Sequence, residues 1–572
     1  MSKRANAIAA AVAALAASTS AAYTVSLRQQ PARPPADLVL LNGKVVTLAD
    51  SRPEAQAVAV VGDRIADIGS AADIKRHVGP STQVIDLKGQ LVIPGFIEGH
   101  GHFGGVGQAE LNLKLMDAKS WDDIVAMVEQ EVKKKKPGEW ILGRGWHQEK
   151  WTAPPEPSVE GFPTHASLSR VSPENPVVLT HASGHASFAN AKAMEVSGVT
   201  GKTANPPGGD FLKDADGNPT GLFRETASRL IRSDRIPDAE RLARARKGLE
   251  LASREVLSKG VTSFQDAGSS VADVDLMKAL IDEGKINVRL WIMLRMDNQA
   301  LAANLAKYRT IDYANGFLTV RGIKKSIDGA LGSRGAWLLE AYSDKPGDTG
   351  RNTTPVEEIR EAAKLAIQHG YQMCVHAIGD RANRETLNIF EEAYNANPDR
   401  KDLRWRVEHA QHLHPSDIPR FGKLGVIASM QGVHCTSDAP YVPARLGDTR
   451  SEEGAYVWQK LMKSGAVVTN GTDAPVEDVS PVASFYATVT RKQKDGRVFY
   501  PDQRMSRLEA LKSYTINAAY AAFEEGSKGT LEPGKYADMV VLSKDIMTVP
   551  DDQIPTADIL YTIVGGKVKY KK

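Results

Sequence analysis

A (β/α)8 (TIM) barrel with a small composite β-sandwich domain formed by both chain ends is the α/β fold class that the sequence predicts. Three observations lead to it. In the middle of the 572-residue chain, apolar runs typical of buried strands alternate with helical stretches. Both chain ends have the pattern of short strands joined by glycine-rich turns, and polar residues suited to catalysis follow the apolar runs. A barrel needs about 250 residues, so the length leaves room for a second domain.

The overall composition is that of a globular protein, with 42% hydrophobic and 25% charged residues and a net charge of +3. So small a charge argues against a nucleic-acid partner or an anionic membrane surface. Two cysteines, Cys374 and Cys435, exclude a disulfide framework and a cysteine-only zinc site. We therefore expect a small-molecule substrate and no stable membrane insertion of the mature chain, and we leave a homodimer open.

The N-terminal segment has the three-part form of a secretory signal. Lys3 and Arg4 precede an alanine-rich stretch over residues 7–17, and no acidic residue comes before Asp37. We predict a signal peptide over residues 1–22, a linker over 23–36, and export to the periplasm or the medium. An organellar transit peptide is the alternative, because the segment contains arginine and serine and lacks acidic residues.

The two chain ends are predicted to build one small sheet domain. Asn42-Gly43 is a strong hairpin turn between two short strands, and a second strand pair turns at Gly62-Asp63. The last part of the chain again shows short strands with glycine-rich turns. We assign residues 37–94 and 525–572 to one discontinuous β-sandwich domain.

Eight apolar runs predict the strands of the barrel, which we place over residues 95–490, followed by C-terminal helices over 491–524. The runs are Leu91–Ile97, Gly260–Gln265, Val288–Leu294, Arg321–Ile327, Gln372–Val375, Trp405–Glu408, Gly425–Met430 and Val467–Asn470. Residues from about 137 to 236 exceed what a barrel needs and are rich in proline, glycine and tryptophan. They predict a lid-like insertion over the barrel mouth.

Six polar residues belong to these runs or follow them: His100, His102, Lys324, His376, His409 and Asp473. Catalytic groups of a (β/α)8 barrel sit at the C-terminal ends of its strands, so we expect the six to converge. Residues two apart on a strand point to the same face, so both imidazoles of the histidine pair can reach one ion.

Lys324 is the most informative of the six. A lysine that points into a barrel is costly unless its charge is altered or paired. Nearby divalent ions would favour the neutral amine, which could take up carbon dioxide and become a carbamate that bridges two metals. Lys325 must point the other way, so only one of the two lysines can serve. The alternative is that the Lys324 amine reaches solvent along an apolar stem.

The strings around these residues resemble those of the amidohydrolase superfamily. They are Gly95-Phe-Ile-Glu-Gly-His-Gly-His102, Ile323-Lys324 with Asp328-Gly-Ala-Leu-Gly-Ser-Arg334, Val375-His376-Ala-Ile-Gly-Asp380, Arg406-Val-Glu-His409 and Asn470-Gly-Thr-Asp473. From about Asp37 to the C-terminus the chain is most similar to the third family, which includes N-substituted formamide deformylase-like proteins. The resemblance implies a (β/α)8 barrel with a composite β-sandwich.

The resemblance also implies a role for each of the six residues. These roles are ligands of a first, more buried metal (His100 and His102), ligands of a second (His376 and His409), a carboxylated bridging lysine (Lys324), and an aspartate that binds the first metal and acts as catalytic general base (Asp473). Zinc, as one or two ions, suits imidazole and carboxylate ligands, and another divalent metal is the alternative.

These assignments predict a metal-dependent hydrolase of a carbon–nitrogen bond other than a peptide bond, in a linear amide, formamide or N-acyl amine. A metal-activated hydroxide would attack the trigonal carbon, and the aspartate would pass a proton to the leaving nitrogen. A cyclic amidase or deaminase on the same centre, and a non-catalytic signalling scaffold, are the alternatives. Candidate substrate contacts are Trp146, His181 and His185 in the insertion and Arg334; packing, or for the arginine a structural salt bridge, is the alternative for each.

Overall fold

The computed structural model of the protein describes residues 35–232 and 238–572. The predicted signal peptide and most of the linker after it lie outside the described residues. Within those two ranges, no helix has both the length and the apolar character that crossing a membrane requires.

Eight parallel strands, arranged in sequence order, form the barrel. They are β1 (Phe96–Gly101), β2 (Val261–Ser269), β3 (Arg289–Leu294), β4 (Leu318–Ser326), β5 (Gln372–Ala377), β6 (Arg406–His409), β7 (Ile427–Gln431) and β8 (Val468–Gly471). The amide of Asp473 donates to the carbonyl of His100 at 2.8 Å and closes the ring between the first and last strands. The predicted barrel is therefore confirmed.

The first predicted strand is divided in two by the structure. Leu91–Pro94 belongs to the small β-domain, and β1 begins at Phe96. The break falls at Gly95, whose amide donates to the carbonyl of Asp538 at 3.0 Å. A Cβ atom there would lie 2.1 Å from Oγ1 of Thr262, so the chain can make this crossing only with glycine.

Helices pack on the barrel strands and share one apolar core with them. Helices that contribute to this core include Phe103–Leu111, Asp238–Ser258, Val271–Asp282, Asn298–Tyr308, Val356–His369, Asp380–Ala396, Ile418–Leu424, Gly432–Asp438, Trp458–Lys463, Pro481–Thr490 and Arg507–Ser513. Several of these helices begin at a residue whose side chain caps the first turn. Ser270 and Asp273 form a reciprocal capping box at the N-terminus of Val271–Asp282, which satisfies backbone N–H groups that the first turn leaves free.

Both chain ends build the β-sandwich. One sheet contains, in spatial order, Arg64–Gly69, Ala57–Val61, Leu38–Leu41 and Gln83–Asp86; the other contains Lys567–Lys571, Ile559–Val564, Met539–Leu542, Leu91–Pro94, Lys44–Val46 and Glu54–Ala55. The two sheets share one core, in which Leu38 and Val58 of the first pack with Val92 and Met539 of the second. The C-terminal strand Met539–Leu542 pairs antiparallel with Leu91–Pro94, so the last segment of the chain completes the sheet begun by the first.

The segment between β1 and β2 forms a sheet of its own. In spatial order its strands are Gly209–Lys213, Pro219–Glu225, Ala186–Ala189, Val177–His181, Ile141–Trp146 and Leu113–Lys114. Ser158–Val159 and Phe162–Pro163 form a separate hairpin, and the helices Trp121–Val132, Ala166–Val171 and Ala191–Ser197 lie between these strands in sequence. The insertion is thus an ordered α/β layer with its own apolar core.

Candidate metal centre

His100 and His102 converge on one carboxylate oxygen. His100 lies in β1 and His102 directly follows it. Nε2 of His100 is 3.6 Å, and Nε2 of His102 is 3.2 Å, from Oδ1 of Asp473. The His100 side chain is fully buried, whereas that of His102 is 30% exposed. The pair therefore presents two ring nitrogens to one point beside the aspartate, one from the barrel interior and one from the cavity.

Asp473 is held by the segment that leaves β8. Its φ of +56° lies in the left-handed region. The preceding Thr472 ties this segment to Glu98 of β1: its amide donates to Oε1 at 2.6 Å and its hydroxyl to Oε2 at 2.9 Å. Burial raises the pKa of Asp473, but the surrounding histidines outweigh burial and hold that pKa well below its ordinary value. The carboxylate is therefore ionised and available to a metal or a proton.

The other ring nitrogen of His100 is fixed by a buried carboxylate. Nδ1 of His100 hydrogen-bonds with Oε2 of Glu408, and Nε of Arg406 donates to Oε1 at 2.7 Å. Burial raises the pKa of Glu408, but Arg406 and His100 outweigh it and leave the group ionised. Burial lowers the pKa of His100 to about 4, so its ring is neutral. With the proton on Nδ1, the lone pair of Nε2 is free for a metal.

His409 is oriented in the same way by an amide. It ends β6, and its Nδ1 lies 2.7 Å from Oε1 of Gln431 in β7. Because an amide oxygen can only accept, Nδ1 carries the proton and Nε2 is free. The ring centroids of His409 lie 4.6 Å from that of His100 and 4.5 Å from that of His376. Burial lowers the pKa of His409 well below its ordinary value, so this imidazole is also neutral.

His376, in β5, faces a carboxylate that the backbone already holds. Its Nε2 lies 3.5 Å from Oδ1 of Asp328. Asp328 accepts amide hydrogen bonds from Ile378 at 3.0 Å, Gly379 at 2.8 Å and Trp337 at 2.9 Å. Burial nevertheless raises the pKa of Asp328 to about 7. This aspartate therefore fixes the loop around the histidine and presents one oxygen toward its ring.

β4 directs its two adjacent lysines to opposite sides. Nζ of Lys324 lies 3.4 Å from Nε2 of His100 inside the barrel, whereas Nζ of Lys325 donates to the carbonyl of Met296 at 2.9 Å. Burial lowers the pKa of Lys324 to about 8. Lys324 is therefore the lysine that stands beside the histidines, and its amine is partly neutral near neutral pH.

The donor set suits a divalent metal. Ligand atoms of His100, His409 and Asp473 lie within 4.8 Å of one another, and all three residues are buried. Among the described residues, Oδ1 of Asp473 and Nε2 of His376 have no hydrogen-bond partner although both atoms are buried. Such atoms are costly unless something satisfies them, and a cation can do so for the aspartate oxygen. Neutral imidazoles with an ionised carboxylate are ligands that zinc accepts.

A cavity of about 420 Å³ opens onto this centre. His102, Lys324, His376, His409 and Asp473 all contribute to its wall. The remaining wall comes from the insertion and from loops at the C-terminal ends of the barrel strands. The space is large enough for a small-molecule substrate next to the candidate ligands.

Two of the predicted substrate contacts lie in the packed interior of the insertion. Trp146 is fully buried, and its Nε1 donates to the carbonyl of Leu179 at 2.9 Å. His181 packs edge-on against it, with ring centroids 4.6 Å apart, and its Nε2 lies 3.1 Å from Oε1 of Gln148. Neither side chain is part of the cavity wall. Both positions correspond to the alternative, in which these residues pack the interior of the insertion.

The other two candidates lie in different places. His185 lines the cavity, 5.2 Å from His376 between ring centroids, and its Nδ1 lies 2.8 Å from Oε2 of Glu225. Arg334 is not in the cavity wall. Its Nη2 donates to Oδ2 of Asp344 at 2.9 Å, and this position corresponds to the alternative, a structural salt bridge. Of the four residues, only His185 is positioned to meet a substrate.

Three carboxylates that contact the candidate ligands or the segments that hold them were not singled out from the sequence, namely Glu98, Asp328 and Glu408. Strand parity contained a signal for two of them. Glu98 lies two residues before His100 on β1, and Glu408 shares the inward face of β6 with Arg406. The cavity arginine Arg295 was missed as well, although it directly follows β3 at the strand end where functional residues are expected.

Comparison with known proteins agrees with this geometry. A family model described as an amidohydrolase family matches residues 83–570. The chain is 34% identical over 557 residues to the protein LONG AFTER FAR-RED 3 of Arabidopsis thaliana, covering 94% of this chain and 92% of the relative. It is 27% identical over 547 residues to N-substituted formamide deformylase of Arthrobacter pascens, covering 94% of this chain and 98% of the relative.

A solved structure shows the same architecture. It is an uncharacterized metal-dependent hydrolase from Pyrococcus horikoshii OT3, with a TM-score of 0.71 and 26% sequence identity. The alignment covers 90% of this chain and 99% of that one. The shared fold thus extends over nearly the whole length of both chains.

Proposed function

This chain belongs to the amidohydrolase family, and from that premise we propose that it hydrolyses a linear amide, formamide or N-acyl amine. It is a metal-dependent hydrolase that acts on carbon–nitrogen bonds. The observation that carries the proposal is the convergence of His100 and His102 on Oδ1 of Asp473, at 3.6 and 3.2 Å, beside a substrate-sized cavity whose wall includes His102 and Asp473. The similarity to a relative named for deformylating N-substituted formamides supports a linear substrate.

Five side chains would hold the metal, for which we propose zinc. His100 and His102 with Asp473 would bind one ion, and His376 with His409 would bind a second. Buried hydrogen bonds from Nδ1 of His100 and His409 keep their Nε2 atoms directed inward. This fixed orientation lowers the cost of assembling the site, because the rings need not reorganise when an ion binds.

The chemistry divides between the ion and the aspartate. Bound metal would supply a Lewis acid that polarises the carbonyl and acidifies water. Asp473, whose pKa lies well below its ordinary value, stays ionised at neutral pH. It would take the proton that the attacking water loses and give it to the nitrogen of the breaking C–N bond, so that an amine leaves and a carboxylic acid forms.

Lys324 would complete a two-ion site as a carbamate. Because its pKa is lowered to about 8, roughly a tenth of the amine is neutral at pH 7. The neutral nitrogen can form a bond to the carbon of carbon dioxide and lose a proton, which gives an anion with two oxygens. Its position 3.4 Å from Nε2 of His100 supports a role beside the metal ligands.

The experiment is metal analysis combined with a substrate panel on the purified protein. We expect stoichiometric divalent metal, and hydrolysis of linear formamides and N-acyl amines in preference to cyclic imides and aminated heterocycles. Preferred turnover of a cyclic imide or an aminated heterocycle would establish the cyclic amidase or deaminase alternative instead. Substoichiometric metal with no turnover, even after zinc is added, would favour the scaffold.

A matched pair of histidine variants links the activity to the site. His100→Ala should lose both metal and turnover while the protein stays folded. His414→Ala removes an exposed histidine whose Nδ1 lies 2.7 Å from the hydroxyl of Ser416 and accepts a hydrogen bond from the Ser416 amide at 3.2 Å, and it should keep both. Retained turnover in His100→Ala would refute the assigned centre.

A further inference from the structure

Three arginines share the cavity with the candidate metal ligands. Arg144 comes from the strand Ile141–Trp146 of the insertion, Arg229 from the short helix Thr226–Leu230, and Arg295 directly follows β3. Three separate elements therefore place a guanidinium at the same space. Arg229 and Arg295 are exposed to the solvent that fills it, and Arg144 is partly exposed.

The structure describes no carboxylate partner for these guanidinium groups. Among residues 35–232 and 238–572, no carboxylate oxygen lies within 4.0 Å of any of the three. Nη2 of Arg144 donates to the carbonyl of Ala182 at 3.2 Å, and its buried Nε has no hydrogen-bond partner in the described chain. Nη2 of Arg295 lies 3.4 Å from Oγ of Ser326, a weak contact between two polar side chains.

An arginine of the insertion outside the cavity, Arg224, is paired with carboxylates. Arg224, in the same insertion, pairs with Asp210 and Glu160, with Nε 2.9 Å from Oδ1 of the aspartate. Arg224 thus differs from the three arginines of the cavity. Arginine is the side chain best suited to bind a carboxylate or a phosphate through two parallel hydrogen bonds.

The carboxylates of the cavity wall face groups other than the three arginines. Oε2 of Glu225 pairs with His185 at 2.8 Å, Asp328 accepts three backbone amides, and Asp473 faces the histidines. Only Oε1 of Glu225, among the oxygens of the first two carboxylates in the described residues, has no hydrogen-bond partner. Burial lowers the pKa of Arg144 to about 10; for Arg295, whose side chain is exposed but whose charged head is enclosed by the cavity wall, desolvation and the like charge of Arg229 lower the pKa. Keeping these arginines charged in the cavity therefore costs free energy of desolvation, and a bound anion would offset that cost.

We propose that the substrate carries an anionic group, a carboxylate or a phosphate, which Arg295, Arg229 and Arg144 bind while its C–N bond lies at the metal centre. This inference rests on the proposed function and narrows it to acidic amides. It also explains why three arginines, none of which pairs with a carboxylate in the described part of the chain, line the cavity beside the metal ligands.

The test uses three probes that differ in the group at the end opposite the formamide, namely the N-formyl derivatives of β-alanine, of β-alaninamide and of O-phosphoethanolamine. They present a carboxylate, a neutral amide and a phosphate, respectively. Turnover and binding are both measured on the metal-loaded protein, binding by the shift in melting temperature. N-acetyl analogues repeat the series in case the acyl group limits turnover.

We expect kcat/KM for one of the anionic probes to exceed that for the neutral probe by about 10- to 100-fold, since hydrogen bonds to charged groups are the stronger class. Arg295→Met and Arg229→Met should each remove most of this preference, because kcat/KM should fall more for the anionic probe than for the neutral one. Both side chains are exposed, so the variants should fold. Arg254→Met, an exposed arginine on the helix Asp238–Ser258, is the matched control and should keep the preference.

The two proposals fail in different ways. Equal turnover and equal binding of anionic and neutral probes, or a preference that survives both cavity variants, would overturn the anion site and leave C–N hydrolysis standing. If no probe is hydrolysed, the proposed function fails, and the binding measurement still decides the anion site. A melting shift with an anionic probe that Arg295→Met abolishes would support the site, and its absence would overturn it.

Discussion

Nδ1 of His100 is hydrogen-bonded to Oε2 of Glu408, and neither side chain is exposed to solvent. Glu408 is in turn held by Arg406, so a buried chain of charges runs from the barrel interior to the ring. Carboxylates that orient a ligating histidine strengthen metal binding by fixing the tautomer and raising the basicity of the ring.

Glu408→Gln should weaken metal binding without removing a proposed ligand. The amide keeps the size and one acceptor oxygen, but the negative charge behind His100 is lost. We expect metal affinity to fall by about 10- to 100-fold, measured by titration against a chromophoric chelator. Glu195→Gln, which alters a surface pair with Lys192, is the control. An unchanged affinity in Glu408→Gln would mean that the carboxylate does not support a metal ligand.

Asp473→Asn should separate binding from proton transfer. The amide can still face the histidines, but it cannot accept a proton from water. Because general-base catalysis contributes about 10²- to 10⁴-fold, kcat should fall by that order. Asp478→Asn changes an exposed aspartate that pairs with Lys259 and should have little effect. A kcat within a few-fold of the unaltered protein would exclude Asp473 as the base.

Adjacent lysines allow a matched comparison in β4. Lys324→Met should lower metal stoichiometry and abolish turnover, because it removes the amine beside His100. Lys325→Met loses a hydrogen bond to the carbonyl of Met296, at a cost of about 1 kcal/mol, and should remain active because the amine faces away from the candidate ligands.

Carboxylation of Lys324 has its own spectroscopic readout. Protein equilibrated with isotopically labelled bicarbonate should show a carbamate carbon signal by NMR. The signal should be absent from Lys324→Met and present in Lys325→Met. A protein that binds two ions without this signal would contradict the carbamate assignment.

Metal removal should destabilise the protein. A ligand that binds only the folded chain adds about 2.7 kcal/mol of stability when its free concentration is about 100 times Kd. Dialysis against a chelator should therefore lower the melting temperature, and added zinc should restore it. In His100→Ala the chelator should have a much smaller effect. An equal effect in both proteins would place the stabilising metal elsewhere.

Acid should lower the stability of the insertion by protonating Asp210. Burial raises the pKa of this carboxyl, but Arg224 outweighs burial and lowers it below the ordinary value. A group whose pKa is lower in the folded state adds stability above its unfolded pKa of about 3.9 and loses it as the pH falls through the folded value. Asp210→Asn should thus cost roughly 1 kcal/mol at pH 7, and the difference should shrink at pH 3. Urea unfolding at both pH values measures it, and a difference independent of pH would contradict the pairing.

Sequence patterns anticipated much of the barrel because a parallel strand buried on both faces leaves a continuous apolar run. The run around Lys324 and Lys325 was recognisable even with two charges, since strand parity requires them to face opposite sides. The boundary at Gly95 was not anticipated. No local pattern distinguishes a strand that continues from one that changes sheets, because the reason lies in contact with Thr262, far away in the chain.

The sequence by itself determined the barrel, the order of its strands and the types of residue at the strand ends, since period and parity are local properties of the chain. Only the tertiary structure decided that Glu408 stands behind His100 and that Arg295 shares a cavity with arginines of the insertion. It also placed Trp146 and Arg334 away from that cavity. Such relationships join residues that are far apart in sequence, and they arise only when the packed backbone brings their side chains together.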